Sequence, residues 1–461
     1  MYDVVVIGGG PGGYAAAIRA SQLEGKVALV EAAEMGGTCV NRGCIPTKVW
    51  LRAAYLLHQI RKADEFGINA SVEEVDLKAI VTRKNGVAGD IRMGMEGLLG
   101  NNGVELIRGR AVLKSPREVT VEGSILEAEK IILATGSCLN VPDLPGLEEA
   151  ALTTDQVLEM TKVPSSVLIY GSGPIELEMA TLLKTFACKV YLVPGPDGLL
   201  PREDRTPRQW VTKGLKQQGV ELLRHFNLES VQKSKGQYRA NLSGPEDRTL
   251  NVERVLVSSR KPNIAHMGLE KIGVRLNENG GIRVNKMLET SVEGIFAIGD
   301  ATGGWMLAHA SSSMGVTAAE NAMGKKSNFA FHLIPRGIWT VPEVGAVGIT
   351  EKEAKKKGID LKIGDFPYSI DGLAMARNEM EGSVKIISDA RYGEILGVHI
   401  VGACATELIG EAVLAMQLEC TARELARSIR AHPTFSEAVV DAARDASNWA
   451  LYLPKRSCMD E

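Results

Sequence analysis

The sequence predicts an α/β chain in which one strand–turn–helix–strand unit occurs twice, followed by a region of mixed strands and helices. Three observations predict it. Gly8-Gly9-Gly10-Pro11-Gly12-Gly13 follows the apolar run Val4 to Ile7 and opens a helical stretch, Tyr14 to Leu23. Gly171-Ser172-Gly173 follows a second run, Ser166 to Tyr170, and opens another helix, Glu176 to Phe186. From about Phe331 the pattern shifts to strands (Val384 to Ile387, Gly397 to Val401) and then helices (Thr406 to Leu418, Thr421 to Arg427). The first two units are therefore Rossmann-like dinucleotide folds in series, and the third region is α+β.

Length and charge bound the possibilities. The chain of 461 residues suggests about three domains. We place the boundaries at 1–143, 144–270, 271–330 and 331–461, the third segment returning to the first domain and Pro142 and Pro145 acting as a linker. With 53 basic and 56 acidic side chains the net charge is −3, so nothing electrostatic favours nucleic acid or a membrane surface as partner. No apolar stretch is long enough to span a bilayer. Met1 leads directly into a strand with no signal-like segment, and a cytosolic location is expected. A cytosol keeps most cysteines as thiols. Cys138, Cys188, Cys404 and Cys420, in apolar surroundings, are expected to be buried and inert.

In the first unit, Gly8, Gly10 and Gly13 have the spacing that lets backbone approach a pyrophosphate, whose charge a helix start favours. Glu31 ends the next strand, Val27 to Val30, where it accepts from a ribose hydroxyl. The run Gly36-Gly37-Thr38-Cys39-Val40-Asn41-Arg42-Gly43-Cys44-Ile45-Pro46-Thr47-Lys48 comes next. On a straight helix the two cysteine Cα atoms would stand about 7.5 Å apart along the axis, beyond disulfide reach. A disulfide therefore needs a kink, for which Gly43 supplies the freedom and Pro46 the start of a new helix. Cys44 then lies at a helix N-terminus, which lowers a thiol pKa. The other reading of the pair is two ordinary buried thiols. Long helices follow, from Lys48 to about Ala63 and from about Leu77 to Leu99. A strand from Lys130 runs into Ala134-Thr135-Gly136, and another, Gly294 to Asp300, ends in an acidic loop.

The run His432-Pro433-Thr434-Phe435-Ser436-Glu437 admits two compatible readings. Thr434 and Glu437 fit a capping box. Alternatively Glu437 orients His432, which moves protons near neutral pH. Neither a Cys-x-x-Cys pair nor His-Glu-x-x-His occurs, so no metal site is expected. Lys355-Lys356-Lys357 is read as a solvated helix end and His309 as structural.

These residues resemble the flavoprotein disulfide reductases, the class I pyridine nucleotide-disulfide oxidoreductases, and within them most the lipoamide dehydrogenase group. The resemblance runs over nearly the whole length. It is carried by Gly36 to Lys48, Ala297-Ile298-Gly299-Asp300, Gly393 to Gly402, and His432 to Glu437. It implies an FAD domain, an NAD domain and a C-terminal α+β dimerisation domain. For FAD it implies contacts at Gly8, Gly10, Pro11, Gly13, Glu31, Gly37, Thr38, Lys48, Ala111, Thr135, Gly136, Asp300, Met306, Leu307 and Ala308. For NAD it implies Gly171 and Gly173. Cys39 is implied to exchange with a dithiol and Cys44 to face the flavin, while Lys48 pairs with Glu178. A homodimer is implied, with His432 and Glu437 serving the other subunit's site. The substrate would be a lipoyl group carried on another protein, in a 2-oxoacid dehydrogenase or glycine cleavage complex.

Four residues depart from the family around one ligand. Glu176 stands where the second turn usually has glycine or alanine. Pro174 follows Gly173, and Pro194 and Gly195 follow Val193 where an acid is usual, with no arginine there to favour a 2′-phosphate. Ser259 replaces the glycine before Arg260-Lys261-Pro262-Asn263. We therefore also expect NAD(H) binding to be weakened or lost, with another redox partner in its place. Met314 and Arg430 are smaller departures. A related reductase for another disulfide is a further alternative, although the tail offers only Cys458 for a second redox pair. A non-enzymatic FAD-binding subunit would have no use for Cys39, Cys44, His432 and Glu437 together.

Overall fold

The computed structural model describes residues 1–454. The chain forms two compact units, Met1–Val163 with Leu256–Ala330, and Pro164–Val255 with the segment from Phe331 onward.

The first unit is built on strand β1 (Tyr2–Ile7), helix α1 (Pro11–Gln22) and strand β2 (Val27–Glu31). Helices α2 (Gly37–Arg42), α3 (Cys44–Arg61) and α4 (Leu77–Asn101) follow, then strands β3 (Glu105–Arg108), β4 (Ala111–Ser115), β5 (Glu118–Val121) and β6 (Ser124–Leu133). Parallel pairing gives the order β3-β2-β1-β6, with Val4 opposite Val27 and Lys130, and Ile295–Ala297 pairs parallel on β6. The early part of β6 instead pairs antiparallel with β5. Val4 and Val6 pack with Ala16, Ala17 and Ala20 on one face, while Val5 and Ile7 pack with Ala28 and Ile131 on the other. Burial on both faces is why β1 reads as a continuous apolar run.

In the second unit, Ser166–Tyr170 pairs parallel with Lys189–Val193, which pairs parallel with Glu221–Leu222. The helix Pro174–Thr185 connects the first two. A three-stranded antiparallel sheet follows, Asn227–Ser234, Gln237–Ser243 and Arg248–Val252. The C-terminal part is a five-stranded antiparallel sheet running Arg336–Ile338, Val344–Gly348, Ile395–Val401, Ser383–Asp389, Leu361–Pro367. Helices Ala405–Gln417 and Ser436–Ala446 pack on it. A buried ionic cluster ties this sheet to the loop after Lys189–Val193. Arg336 bonds Glu203 at 2.8 and 3.1 Å, and Lys385 bonds Asp204 at 2.8 Å and Glu351 at 2.6 Å. His399, fully buried beside it, meets the Ile349 carbonyl at 3.0 Å.

The three lysines at 355–357 are exposed at the end of a helix, Glu351–Lys356, as expected. The four cysteines expected to be buried divide instead. Cys188 is buried and its thiol is pushed up to about 12 by that burial, whereas Cys138, Cys404 and Cys420 are half-buried. Their apolar neighbours in sequence cover them only in part. Cys458 lies outside the described residues.

Candidate active site

The first glycine turn is shaped by contacts no side chain could share. A Cβ on Gly13 would lie 1.8 Å from the Gly8 carbonyl oxygen, so α1 approaches the strand only with glycine there. Above Gly10 the space is open, with nothing within 4 Å of a Cβ built on it. Pro11 occupies the first helical turn, where its missing N–H costs nothing. Glu31 accepts from the Gly9 N–H at 2.6 Å and the Ala33 N–H at 2.7 Å, which holds its carboxylate beside the turn. Gly37 abuts Gly10, and the Gly36 N–H donates to the Gly9 carbonyl at 2.9 Å, so the redox loop is docked on the turn.

Other elements converge on the same end of the sheet. The helix Ala308–Ala322 starts after Leu307, and its Ser312 hydroxyl donates to the Pro11 carbonyl at 3.2 Å. Met306, Leu307 and Ala308 are half-buried at that start. Asp300 accepts from the Ser137 hydroxyl at 2.5 Å, and burial holds its carboxyl above the usual range. Arg260 donates to the Ser137 hydroxyl at 2.8 Å and to the Thr38 hydroxyl at 3.2 Å. Thus Arg260 and Ser137, which the sequence did not single out as site residues, link the loop beside Cys39 to Asp300. Ala111 is buried on β4. Thr135, just before the left-handed Gly136, keeps a buried hydroxyl with no protein partner. An open cradle at Gly10, an acid fixed beside it, and an orphaned buried hydroxyl fit a dinucleotide cofactor bound along this edge.

The cysteines sit across a break. Helix α2 ends at Arg42, Gly43 turns with φ −133° and ψ −111°, and α3 begins at Cys44. Pro46 falls at the third helical position rather than the first; it is still tolerated, because the first intrahelical bond is Thr47 N–H to the Gly43 carbonyl at 2.9 Å. Cys39 is half-buried and Cys44 exposed, both as thiols. A hydrogen bond with Cys44, then burial, pushes the Cys39 thiol well above its ordinary range, and nearby Lys48 opposes this. Cys44, as the first residue of α3, lies where a helix start favours negative charge. Lys48 lies one turn along α3, half-buried.

In the second unit, Glu437 meets His432 Nδ1 at 3.0 and 3.2 Å. The His432 side chain is 78% exposed, and Nε2 is left for other chemistry. Glu437 also accepts from the Thr434 N–H at 2.9 Å, but the expected capping box is only half formed. The helix starts at Ser436, one residue late for it, and the Thr434 hydroxyl turns to the Ala431 carbonyl at 2.8 Å. Glu178 is buried and accepts from the Trp339 N–H at 3.2 Å. Met314, in the first unit, is buried in the core, and His309 is exposed.

The second glycine turn carries its own carboxylate. Glu176 is the third residue of the helix Pro174–Thr185 and 8% exposed. Its Oε1 lies 2.9 Å from where a Cβ on Gly171 would be, and its Oε2 2.9 Å from one on Gly173. Beyond Val193 a cavity of about 1010 Å³ opens, lined by Pro194, Gly195, Arg202, Arg205, Arg208 and Arg224 among others. Arginines absent from the strand end in sequence are thus brought near it by folding. Ser259 has a local role in the first unit, its hydroxyl donating to the Asn140 carbonyl at 3.0 Å. Among the described residues no cluster of His, Cys, Asp and Glu could hold a metal ion, and no helix is long and apolar enough to cross a membrane.

Residues 2–315 match the family described as pyridine nucleotide-disulphide oxidoreductase, and residues 334–443 match that family's dimerisation domain. The chain belongs to the pyridine nucleotide-disulphide oxidoreductases. A dihydrolipoyl dehydrogenase of Thermus scotoductus is 38% identical over 99% of both chains. The solved structure of LpdA from Mycobacterium tuberculosis superposes with a TM-score of 0.87 at 25% identity, covering 96% of this chain and 98% of that one. RclA of Escherichia coli, a HOCl-induced flavoprotein disulfide reductase solved as a Cu(II) complex, gives 0.84 at 27% identity over 96% and 98%. As a flavoprotein disulfide reductase of the lipoamide dehydrogenase family, this oxidoreductase uses FAD, and the cradle at Gly8–Gly13 is where its residues fit that group. The dimerisation domain supports a homodimer.

Proposed function

We propose that this oxidoreductase oxidises a dihydrolipoyl dithiol carried on another protein, of a 2-oxoacid dehydrogenase or glycine cleavage complex, and delivers the electrons to NAD⁺. The observation that carries the reading is the pair of sulfurs hydrogen-bonded across the Gly43 break, one of them starting a helix. In the oxidised enzyme Cys39 and Cys44 form a disulfide. His432 of one subunit, its Nδ1 held by Glu437, takes a proton from a substrate thiol at Nε2 in the other subunit's site. The resulting thiolate attacks Cys39, forming a mixed disulfide and releasing Cys44 as a thiolate at the start of α3. The second substrate thiol attacks the substrate sulfur of that bond, closing the lipoyl disulfide and expelling Cys39, which takes up the proton that this thiol loses while His432 keeps the first. When bound, FAD would supply a two-electron acceptor for the reduced cysteines and a hydride donor for the nicotinamide nucleotide. Lys48 would help to hold FAD in this reading, and Gly171 and Gly173 would seat the nicotinamide nucleotide.

Anaerobic titration with dihydrolipoamide tests the proposal. A long-wavelength thiolate-to-flavin band is expected, lost in Cys44→Ser; its absence from the wild-type protein sinks the lipoamide assignment. A second reading keeps this half-reaction and weakens the nicotinamide step, with another redox protein as electron partner. The carboxylate over the second turn favours it.

A further inference from the structure

We propose that Glu176 determines nucleotide affinity by seating its own carboxylate where the second turn would receive a pyrophosphate. The inference deepens the functional reading and rests on it in one respect, that Gly171–Gly173 is the nicotinamide nucleotide's turn.

The position gives the carboxylate its reach. The helix begins at Pro174, with Gly173 as its extended N-cap, so Glu176 is the third helical residue. A glutamate there characteristically folds back toward the cap and lies in the favourable field of the helix start. Here it does so over glycines. With Oε1 and Oε2 each 2.9 Å from where the Gly171 and Gly173 side chains would begin, both oxygens cover the turn. At the first turn the equivalent space over Gly10 is empty. The same N-terminal field that attracts a phosphate is therefore already serving an anion of the chain itself.

The backbone bonds of the two turns differ slightly as well. The first intrahelical bond is 2.9 Å in the first unit, from the Tyr14 N–H to the Gly10 carbonyl, and 3.3 Å in the second, from the Leu177 N–H to the Gly173 carbonyl. The strand-end bond is likewise 2.8 Å from the Gly8 N–H to Val30 and 3.0 Å from the Gly171 N–H to Val193. A side chain stands between turn and helix where the first unit has none. An entering pyrophosphate must move Glu176 out and meets a like charge if it does not. Pro194, at the strand end, supplies no carboxylate for the adenine ribose to offset this.

The test is an anaerobic titration of the FAD-loaded protein with NADH, followed by flavin bleaching, in the wild type, Glu176→Gly and Glu176→Gln. The expected result is that Glu176→Gly lowers the NADH concentration for half-bleaching about 10- to 100-fold. Glu176→Gln, which keeps the size and removes the charge, gives a smaller gain and serves should the glycine variant fold poorly. A gain in either variant supports the inference; no gain in both, or wild-type flavin already bleached by micromolar NADH, overturns it. Failure of dihydrolipoamide to bleach the wild-type flavin sinks the lipoamide reading alone, since the NADH comparison among the three proteins is still read.

Discussion

At Gly8–Gly13 the third glycine lies against the carbonyl of the first, whereas at Gly171–Glu176 the same place holds a carboxylate folded over the turn. Strand, turn and helix are otherwise alike, and both turns hang from the next strand by one backbone bond. One residue thus separates an open anion cradle from a filled one. Fold-level likeness is a statement about backbone, while a ligand meets the side chains laid on it.

The largest effect is expected at the first turn. Gly13→Ala places a methyl 1.8 Å from the Gly8 oxygen, and the shift it forces closes the cradle. The purified variant should lack flavin absorbance, whereas Glu176→Ala should retain it. Equal flavin loss in both would break the contrast between the turns.

Next comes the proton path. His432→Gln should lower kcat/KM for dihydrolipoamide by about 10²–10⁴-fold, the usual worth of a positioned base. Glu437→Gln should cost less and displace the pH–rate profile, because it leaves the imidazole but loosens its orientation. A glutamine variant at 437 with an unmoved profile would return Glu437 to a helix-start role.

Third is the buried ionic cluster of the second unit. Lys385→Met leaves Asp204 and Glu351 without their shared cation in a buried setting, at a cost of about 3–5 kcal/mol, read by thermal melting. Burial alone would raise the Asp204 pKa, but Lys385 and the Glu351 N–H outweigh it and the net shift is downward. A lowered carboxylate pKa contributes stability above its unfolded value, about 4, and loses it as pH falls through the folded value. His399 is held neutral by burial, so its contribution fades already below an unfolded pKa of about 6.5. The melting temperature should therefore fall on acidification from pH 7 in two stages, the first absent in His399→Gln.

Smallest is the Arg260 link. Arg260→Met frees Thr38 and Ser137 without touching sulfur, and a rate loss of about tenfold or less in dithiol oxidation is expected from stopped-flow reduction.

The sequence made some of this legible and hid the rest for identifiable reasons. Ser166–Tyr170 and Lys189–Val193 were read to the residue, since apolar runs between glycine turns have few alternatives. The second helix was read as starting at Glu176, and its start at Pro174 is what makes Glu176 a third-position residue able to fold back. The identity of residue 176 is legible in the sequence, whereas the direction of its side chain, which decides its effect, is not. The Thr38–Arg260–Ser137–Asp300 chain joins residues far apart in sequence and leaves no periodic trace. Asp204, Lys385 and Glu351 were invisible for the same reason.

The exposure of His432 has a genetic consequence. If the histidine of each copy completes the site of its neighbour, no single chain owns a whole catalytic centre. Mixing a Cys39→Ser chain with a His432→Gln chain then restores activity to two inactive proteins. Each hybrid pair carries one intact centre and one with both lesions. Dilution below the dissociation constant of such a pair then silences every copy at once, so the abundance of the enzyme, and not only its integrity, sets whether it works.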